Sequence, residues 1–328
     1  MAAPLLTPAL SSDMALDPDT AQPPFRQQVE QWMRGFQQWL YTLLETTDGG
    51  ATFQPDVWQH HSGGGGESRV IQHGRILEKG GVNFSAVQGQ MSEQAARVLL
   101  MPDPNYFATG VSVVQHPRSP MVPISHMNVR YFEAGNGEAW FGGGLDLTPI
   151  YVDVEQARWF HEQIAEVCQQ HDPGYYERFK TWADDYFFLP HRQETRGVGG
   201  IFFDRLTVGK DGDRDQLFAF VQAVGEVYGR TYSELMRRNA GLPYGEAEVQ
   251  WQMLRRARYA EFNLAFDRGT RFGLETGGRT ESILMSLPPR CEWHYNLQPA
   301  PGSREADTLR WLKKGVNWLD NSPNPPLD

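Results

Sequence analysis

Two histidines, the guanidinium group of Arg130 and the carboxylate of Asp146 fall within one short part of the sequence, from Ser112 to Asp146. The triplet Asn128-Val-Arg130 places two polar side chains on one face of a predicted strand, because side chains alternate along a strand with a period of two. His126 belongs to the same face. Each of these groups would need a polar partner in an apolar core. The pattern therefore indicates a functional site rather than buried structure.

Proline and glycine mark the ends of the strands around this face. Three prolines that cannot belong to a central strand predict a rigid connection: Pro117, Pro120 and Pro123. His116, next to that connection, is either functional or simply structural. Three glycines then precede Asp146, and their missing side chains would let a flat ligand approach the backbone. Asp146 itself is either a helix cap or turn residue, or a carboxylate that faces the same cavity as Arg130.

Arginine and glycine are concentrated again between Tyr259 and Pro289. A guanidinium group binds a carboxylate through two parallel hydrogen bonds. Three arginines of this segment are therefore candidate anchors for an acidic ligand: Arg268, Arg271 and Arg279. Nearby acidic residues offer each of them an ordinary surface ion pair as the alternative.

Composition excludes several classes of protein. The net charge of −10 argues against nucleic acid as the main partner, because phosphate binding calls for a basic surface. Only two cysteines are present, too few for a disulfide scaffold. No basic residue precedes Arg26, and no run of about 18 apolar residues occurs. We expect a cytoplasmic protein without a membrane span.

The order of predicted elements indicates an α+β fold. Residues 1–24 are rich in Pro, Ala, Ser and Asp and predict a disordered arm. Residues 25–328 predict a single catalytic domain, since no linker interrupts them. Strands joined by short connections favour antiparallel pairing. The predicted strands are Arg69–Leu77, Val82–Val87, Gly110–Gln115, Asn128–Glu133, Ala139–Phe141, Gly199–Phe203 and Arg258–Phe266.

Helical periodicity begins at Phe25 and returns later in the chain. The later predicted helices are Asp153–Gln170, Gly174–Phe188, Arg214–Asn239 and Glu305–Leu319. The tract Gly63–Gly66 lacks the Gly-Lys-Ser/Thr ending of a phosphate-binding loop. We interpret it either as a mobile loop that enters a strand or as a flexible lid over a pocket.

From the first helix onward, the sequence closely resembles the oxygen-dependent coproporphyrinogen III oxidases of haem and chlorophyll synthesis. The resembling blocks are Gly63 to Val70, Gly81 to Ser85, Ser112 to Phe132, Trp140 to Pro149, Tyr186 to Gly200 and Tyr259 to Pro289. The resemblance implies a large, flat antiparallel sheet with helices on both faces. It also implies a homodimer whose contact region runs from Tyr259 to about His294.

The implied reaction converts two propionate side chains of coproporphyrinogen III into vinyl groups. Dioxygen is the oxidant, protoporphyrinogen IX is the product, and carbon dioxide and hydrogen peroxide are released. His126 matches the family's proposed proton donor, and Asp146 matches an aspartate that accepts hydrogen bonds from pyrrole N–H groups. Arg130 near Asp146 would hold a propionate and keep the aspartate ionised. The positions that match substrate contacts are Ser112, Asn128, Val129, Arg130, Gly277, Gly278 and Arg279.

The resemblance implies no organic cofactor, with dioxygen as a co-substrate, but it leaves a divalent metal open. Four histidines match metal ligands of some family members: His116, His126, His161 and His191. Their spacing is not a known metal signature. Two other functions remain as alternatives. One is a non-haem iron oxygenase with two histidine ligands and a carboxylate, and the other is a porphyrin carrier without catalytic activity.

Overall fold

The computed structural model describes residues 23–91, 96, 103–275, 278–320 and 325. Residues 1–22 of the arm predicted for residues 1–24 lie outside this range. Among the described residues there are eight helices and nine strands. In chain order they are α1 (Phe25–Asp48), β1 (Gln54–Gln59), β2 (Gly64–Gln72), β3 (Leu77–Gln90), β4 (Asn105–Pro117), β5 (Ile124–Ala134), β6 (Ala139–Thr148), α2 (Val154–His171), α3 (Tyr175–Tyr186), β7 (Phe188–Leu189), β8 (Glu194–Thr195), β9 (Gly199–Thr207), α4 (Arg214–Asn239), α5 (Glu246–Ala265), α6 (Arg268–Glu275), α7 (Thr280–Leu284) and α8 (Arg304–Trp311).

Seven strands form one sheet in the order β1-β2-β3-β4-β5-β6-β9, and every neighbouring pair is antiparallel. Six of these strands follow one another along the chain, as short connections between strands favour. The seventh, β9, returns to the edge beside β6 after α2 and α3. The predicted α+β class and antiparallel sheet are confirmed.

One face of the sheet, called the core face below, lies against the main hydrophobic core. The alternation along β5 places Met127, Val129 and Tyr131 in this core, each at most 3% exposed. Helices α1 and α4 supply the apolar side chains that pack against them. Burial of this face fixes the register of the strands, since a slip of one residue would turn every apolar side chain outward.

The other face, called the site face below, is only partly covered. At one end, Trp251, Leu254 and Tyr259 of α5 pack against Val114 and Ile124. Toward β1, the segment 278–287 lies over β2 and β3. Between the two, the centre of the sheet is left uncovered, and Ser112 on the central strand β4 is exposed. The predicted helices on both faces are therefore present, but on the site face they frame a gap.

Two predictions about local structure are wrong. The predicted strand Arg258–Phe266 is the end of helix α5 and the residue after it. Tyr259, Phe262 and Asn263 are buried there with helical spacing, which the short alternating pattern also fits. The tract Gly63–Gly66 is a loop only at Gly63, because Gly64 begins β2 and the strand pairs on both sides. A side chain at Gly66 would collide with the Trp58 ring, 2.4 Å from its Cβ position.

The ends of other elements also differ from the sequence predictions. Strand β1 was not predicted, and the predicted helix Glu305–Leu319 ends already at Trp311. The Pro-rich connection lies between β4 and β5, but Pro117 is the last residue of β4 and is paired with Leu77, so that only Pro120 and Pro123 of the three prolines lie in the connection. No helix within the described ranges has the length and apolar character that crossing a membrane requires.

Candidate active site

His126 and Asp146 lie side by side on the site face. Strands β5 and β6 pair with His126 directly opposite Asp146, so that both side chains project from the same face. His126 Nδ1 is 2.8 Å from Asp146 Oδ1. The Asp146 side chain is only 1% exposed, whereas that of His126 is 16% exposed. The histidine therefore stands between a buried carboxylate and the solvent side of the sheet.

Arg196 is the second partner of Asp146. Its Nε and Nη2 atoms donate to the two carboxylate oxygens at 3.1 and 2.6 Å. The guanidinium group is enclosed by the rings of Phe187, Tyr259 and Phe262, at 4.5–4.6 Å from their centroids. Burial alone would raise the pKa of Asp146, but the Arg196 charge and the His126 hydrogen bond outweigh it and lower this pKa. Asp146 is thus held as a carboxylate.

The geometry corrects the expectation that Arg130 keeps Asp146 ionised. Arg130 is not the ion partner of Asp146, because it lies four residues beyond His126 on β5 and pairs with Asp204 of β9 at 2.9 Å. In this structure both Asp146 oxygens are buried and hydrogen-bonded, one to His126 and both to Arg196. The contact of Asp146 with pyrrole N–H groups stays a prediction, and Arg196, which sequence reasoning missed, keeps Asp146 charged.

A chain of hydrogen bonds connects Arg130 to Asp146 along β5. Arg130 Nη1 donates to Asn128 Oδ1 at 3.4 Å, and Asn128 Nδ2 is 3.3 Å from His126 Nε2. Because a guanidinium group only donates, the Asn128 oxygen must face Arg130, and its NH₂ group must face His126. His126 Nε2 is then an acceptor, and Nδ1 carries the proton that is donated to Asp146. In this state, Nε2 can accept a proton from a ligand.

The predicted substrate positions divide between the two faces. Ser112 and Asn128 are paired across β4 and β5 on the site face, and Asn83 of β3 continues the same row. Val129 is fully buried on the core face, so its side chain does not reach the site face. Gly277 lies outside the described residues. Gly278 and Arg279 lie at the start of the segment that covers β1 to β3.

Of the three candidate anchor arginines, Arg279 reaches the site face. Its Nη2 is 2.6 Å from Asp56 Oδ2 on β1, and its Nη1 is 3.4 Å from Ser282 Oγ. Arg268 lies against the Tyr186 ring at 5.9 Å. Arg271 is 60% exposed and lies 3.9 Å from a carboxylate of its own helix. The first two arginines make contacts across the chain, while the ion pair of Arg271 among the described residues is an ordinary surface pair.

Glycines of β6 keep the floor of the site face flat. A Cβ atom at Gly142 would lie 2.6 Å from Arg130 Nε and 2.7 Å from Asp204 Oδ1, closer than atoms approach without displacement. At Gly144 it would lie 2.6 Å from a backbone oxygen of β9. Any side chain here would push the arginine away from its position or separate the strands. The predicted close approach of a flat ligand is compatible with this geometry.

The structure does not bring the four candidate metal ligands together. His116 is buried with Nε2 2.8 Å from the Ser286 carbonyl oxygen, and burial lowers its pKa well below the usual value. His161 lies on α2, where its ring nitrogens bond to Tyr176 and Val198 and burial lowers its pKa to about 3.

His191, the remaining member of that set besides His126, lies at the surface with Nε2 2.7 Å from Glu261 Oε2. In the described part of the chain, no three His, Cys, Asp or Glu side chains are arranged to hold a metal ion. The four histidines within one chain do not fit a shared metal site.

A separate cavity of about 680 Å³ lies between α2 and α8, next to Tyr151, Asn239 and Thr308. It contains none of the predicted site residues. The candidate site is therefore the open gap on the sheet, with its polar floor and the His126–Asp146–Arg196 group at one end, and not an enclosed pocket.

A comparison with known protein families finds a match that spans the candidate site. The model of a family described as coproporphyrinogen III oxidase matches residues 28–318, which is most of the chain. The match begins within α1 and includes all nine strands and the site face. The chain belongs to the coproporphyrinogen III oxidase family.

Proposed function

We propose that this protein is an oxygen-dependent oxidase that converts two propionate side chains of coproporphyrinogen III into vinyl groups, giving protoporphyrinogen IX. Family membership supports oxidative decarboxylation in porphyrin biosynthesis. The single observation that carries the proposal further is the uncovered centre of the sheet beside His126. It offers a flat polar floor for a ring and a buried ion pair that positions a proton acceptor.

The floor suits a flat ring that carries carboxylates. Gly110, Ser112 and Asn128 present little side-chain bulk on the central strands, and Arg130 stands at their edge. The Arg130 side chain is 40% exposed, so that it can contact a ligand carboxylate without being uncovered first. A guanidinium group in this position would fix a propionate close to His126.

The chemistry of each step limits what the protein must supply. A propionate loses its carboxylate as carbon dioxide and one β-hydrogen, and the carbon chain gives up two electrons. Dioxygen takes these two electrons and two protons and becomes hydrogen peroxide. One proton corresponds to the β-hydrogen, and the other comes from the surroundings. A group that accepts and returns protons is therefore needed, and His126 Nε2 is placed to do so.

We further propose that no metal or organic cofactor is required. The electron-rich tetrapyrrole can act as its own reductant, and three of the candidate histidine ligands are bonded elsewhere. Activity that persists after treatment with a chelator, in protein that metal analysis finds to be metal-free, would support this proposal. A stoichiometric metal whose removal abolishes turnover would favour a non-haem iron oxygenase instead.

The homodimer implied by the resemblance is also proposed here. Within Tyr259 to His294, Leu264, Leu274 and Trp293 are between 42% and 55% exposed, although large apolar side chains are usually covered. Tyr259 itself is buried within the chain. Light scattering of the purified protein should give twice the chain mass, and the substitution Trp293→Glu should shift it toward the monomer. A wild-type monomer at all concentrations would contradict the proposal.

The test of the function is an anaerobic incubation with coproporphyrinogen III followed by admission of air. We expect protoporphyrinogen and carbon dioxide only after air enters, with hydrogen peroxide formed in equal amount to carbon dioxide. The variant His126→Gln keeps a polar side chain but cannot exchange a proton, so we expect a loss of turnover of about 100-fold or more. Binding without any carbon dioxide release in the wild type would indicate a carrier.

A further inference from the structure

Two arginines of the site face are each paired with a carboxylate from an outer strand of the sheet. Arg279 binds Asp56 of β1 at 2.6 Å, and Arg130 binds Asp204 of β9 at 2.9 Å. Strands β1 and β9 are the two edges of the seven-stranded sheet. Six strand spacings separate them, roughly 29 Å. The two arginines are thus drawn toward opposite edges, away from the uncovered centre.

We propose that Asp56 and Asp204 are placeholder carboxylates, which hold the two arginines ready and give them up to carboxylates of the bound substrate. The inference rests on the proposed function, because it assigns the two arginines to substrate propionates. Asp56 and Asp204 are positioning residues in this proposal, since they act through the arginines and not on the reacting atoms.

The exposure of both pairs makes exchange possible. The four side chains are between 29% and 48% exposed, so that water screens the attraction and neither pair is locked. The pair of Arg196 and Asp146 is the opposite case, because both side chains are at most 2% exposed. The Arg196–Asp146 pair beneath the site is therefore permanent, whereas the Arg279–Asp56 and Arg130–Asp204 pairs at its margins are exchangeable.

Each exchangeable arginine has a second, neutral hydrogen-bond partner that remains when the carboxylate leaves. Arg279 keeps Ser282, whose hydroxyl is 2.9 Å from Ser68 of β2. Arg130 keeps the Asn128 oxygen. These contacts hold each guanidinium group at the sheet while it changes its anionic partner. Repeated exchange between the aspartate and a substrate carboxylate requires such a contact.

The loss of two carboxylates in the reaction should return the arginines to Asp56 and Asp204 after turnover. The substrate brings four carboxylates and the product retains two, so fewer ligand charges compete for the arginines after turnover. Asp56 and Asp204 then recover their partners and favour release of the product. Removal of a placeholder charge should strengthen binding of both ligands and slow product release.

The test compares Asp56→Asn and Asp204→Asn with the wild type. The control is Glu226→Gln, which removes the carboxylate of an exposed Arg230–Glu226 pair on α4, the helix that covers the core face. We measure kcat and KM with coproporphyrinogen III, and the Kd of oxidised coproporphyrin III and of its tetramethyl ester by fluorescence. Loss of one exposed ion-pair competitor should lower KM and the coproporphyrin Kd by about two- to fivefold.

The expected pattern is tighter tetracarboxylate binding in both aspartate variants, unchanged binding of the uncharged ester, and no change in Glu226→Gln. Stronger inhibition by protoporphyrin, with an unchanged thermal midpoint, would support the exchange as well. A higher KM with a large fall in kcat would overturn it, since that result makes the aspartates direct substrate ligands. If the wild type binds coproporphyrin but shows no turnover, the proposed oxidase function fails, and the Kd comparison still decides the exchange.

Discussion

Removal of Arg196 tests the buried ion pair most directly. In Arg196→Met, a side chain of similar length fills the space between the three aromatic rings, but Asp146 loses the guanidinium group that bonds to both of its oxygens. Breaking one partner of a buried pair costs about 3–5 kcal/mol of unfolding free energy, because the other charge stays desolvated. The same change at Arg237, 54% exposed beside Glu234 on α4, should cost less than about 1 kcal/mol.

The loss of stability in Arg196→Met should depend on pH. The pKa of Asp146 is lowered in the folded protein, so the ionised carboxylate stabilises the fold at neutral pH. This stabilisation is lost as the pH falls from about 4 through the lowered pKa. Without Arg196, the largest of the contributions that lower the pKa of Asp146 is removed, so burial weighs more and this pKa should rise. The carboxyl group would then take up a proton already in mild acid, and the deficit of the variant should shrink as the pH is lowered.

Urea unfolding of the wild type, Arg196→Met, Asp146→Asn and the double variant at several pH values measures these differences. The double variant has no buried charge at this position, so it should cost less than the sum of the two single changes. A deficit below about 1 kcal/mol in Arg196→Met that does not vary with pH would refute the reasoning. It would mean that water reaches Asp146 despite its burial.

Three further predictions concern other parts of the structure. Asp48→Ala should lower the free energy of unfolding by about 3–5 kcal/mol in the same assay. The Asp48 carboxylate accepts five backbone N–H bonds of 2.7–3.2 Å, and alanine offers no acceptor in its place. A loss under about 1 kcal/mol would contradict this account. Gly142→Ala should raise KM for coproporphyrinogen without unfolding the protein, since its Cβ displaces the Arg130 guanidinium group, and an unchanged KM would show that this position is not needed. Arg130→Ala should reduce kcat/KM by about 100-fold or more, whereas Arg271→Ala, at a 60% exposed surface pair, should change it less than twofold; equal losses would make the assignment of the two arginines wrong.

Local patterns were sufficient to predict much of the architecture. The helix Arg214–Asn239 has the predicted ends, because Asp213 caps its first turn together with Gln216. The shared face of His126, Asn128 and Arg130 follows from the two-residue period of a strand, and their hydrogen bonds are those of neighbours on one strand.

Contacts between distant parts of the chain could not be predicted in this way. Arg196 is 50 residues from Asp146 and lies after two helices, so nothing in its local sequence indicates that it returns to β6. Helix α5 was mistaken in part for a strand, because its buried Tyr259 and Phe262 occur in a window too short to separate the two periods. The pairing of Arg130 with Asp204 likewise depends on β9 joining the sheet beside β6.

The hydrogen bonds that run from Arg130 through Asn128 to His126 have a fixed direction. This direction couples protonation of His126 to the contact between Arg130 and Asn128. When a proton is added to His126 Nε2, the Asn128 NH₂ group faces a donor, and the amide must turn its oxygen toward the histidine. Its NH₂ group then faces Arg130, which has no acceptor to offer, and that contact is lost. Proton uptake by the histidine thus loosens the arginine from the strand. The orientation of the Asn128 amide therefore couples the arginine at one end of this hydrogen-bond chain to the histidine at the other.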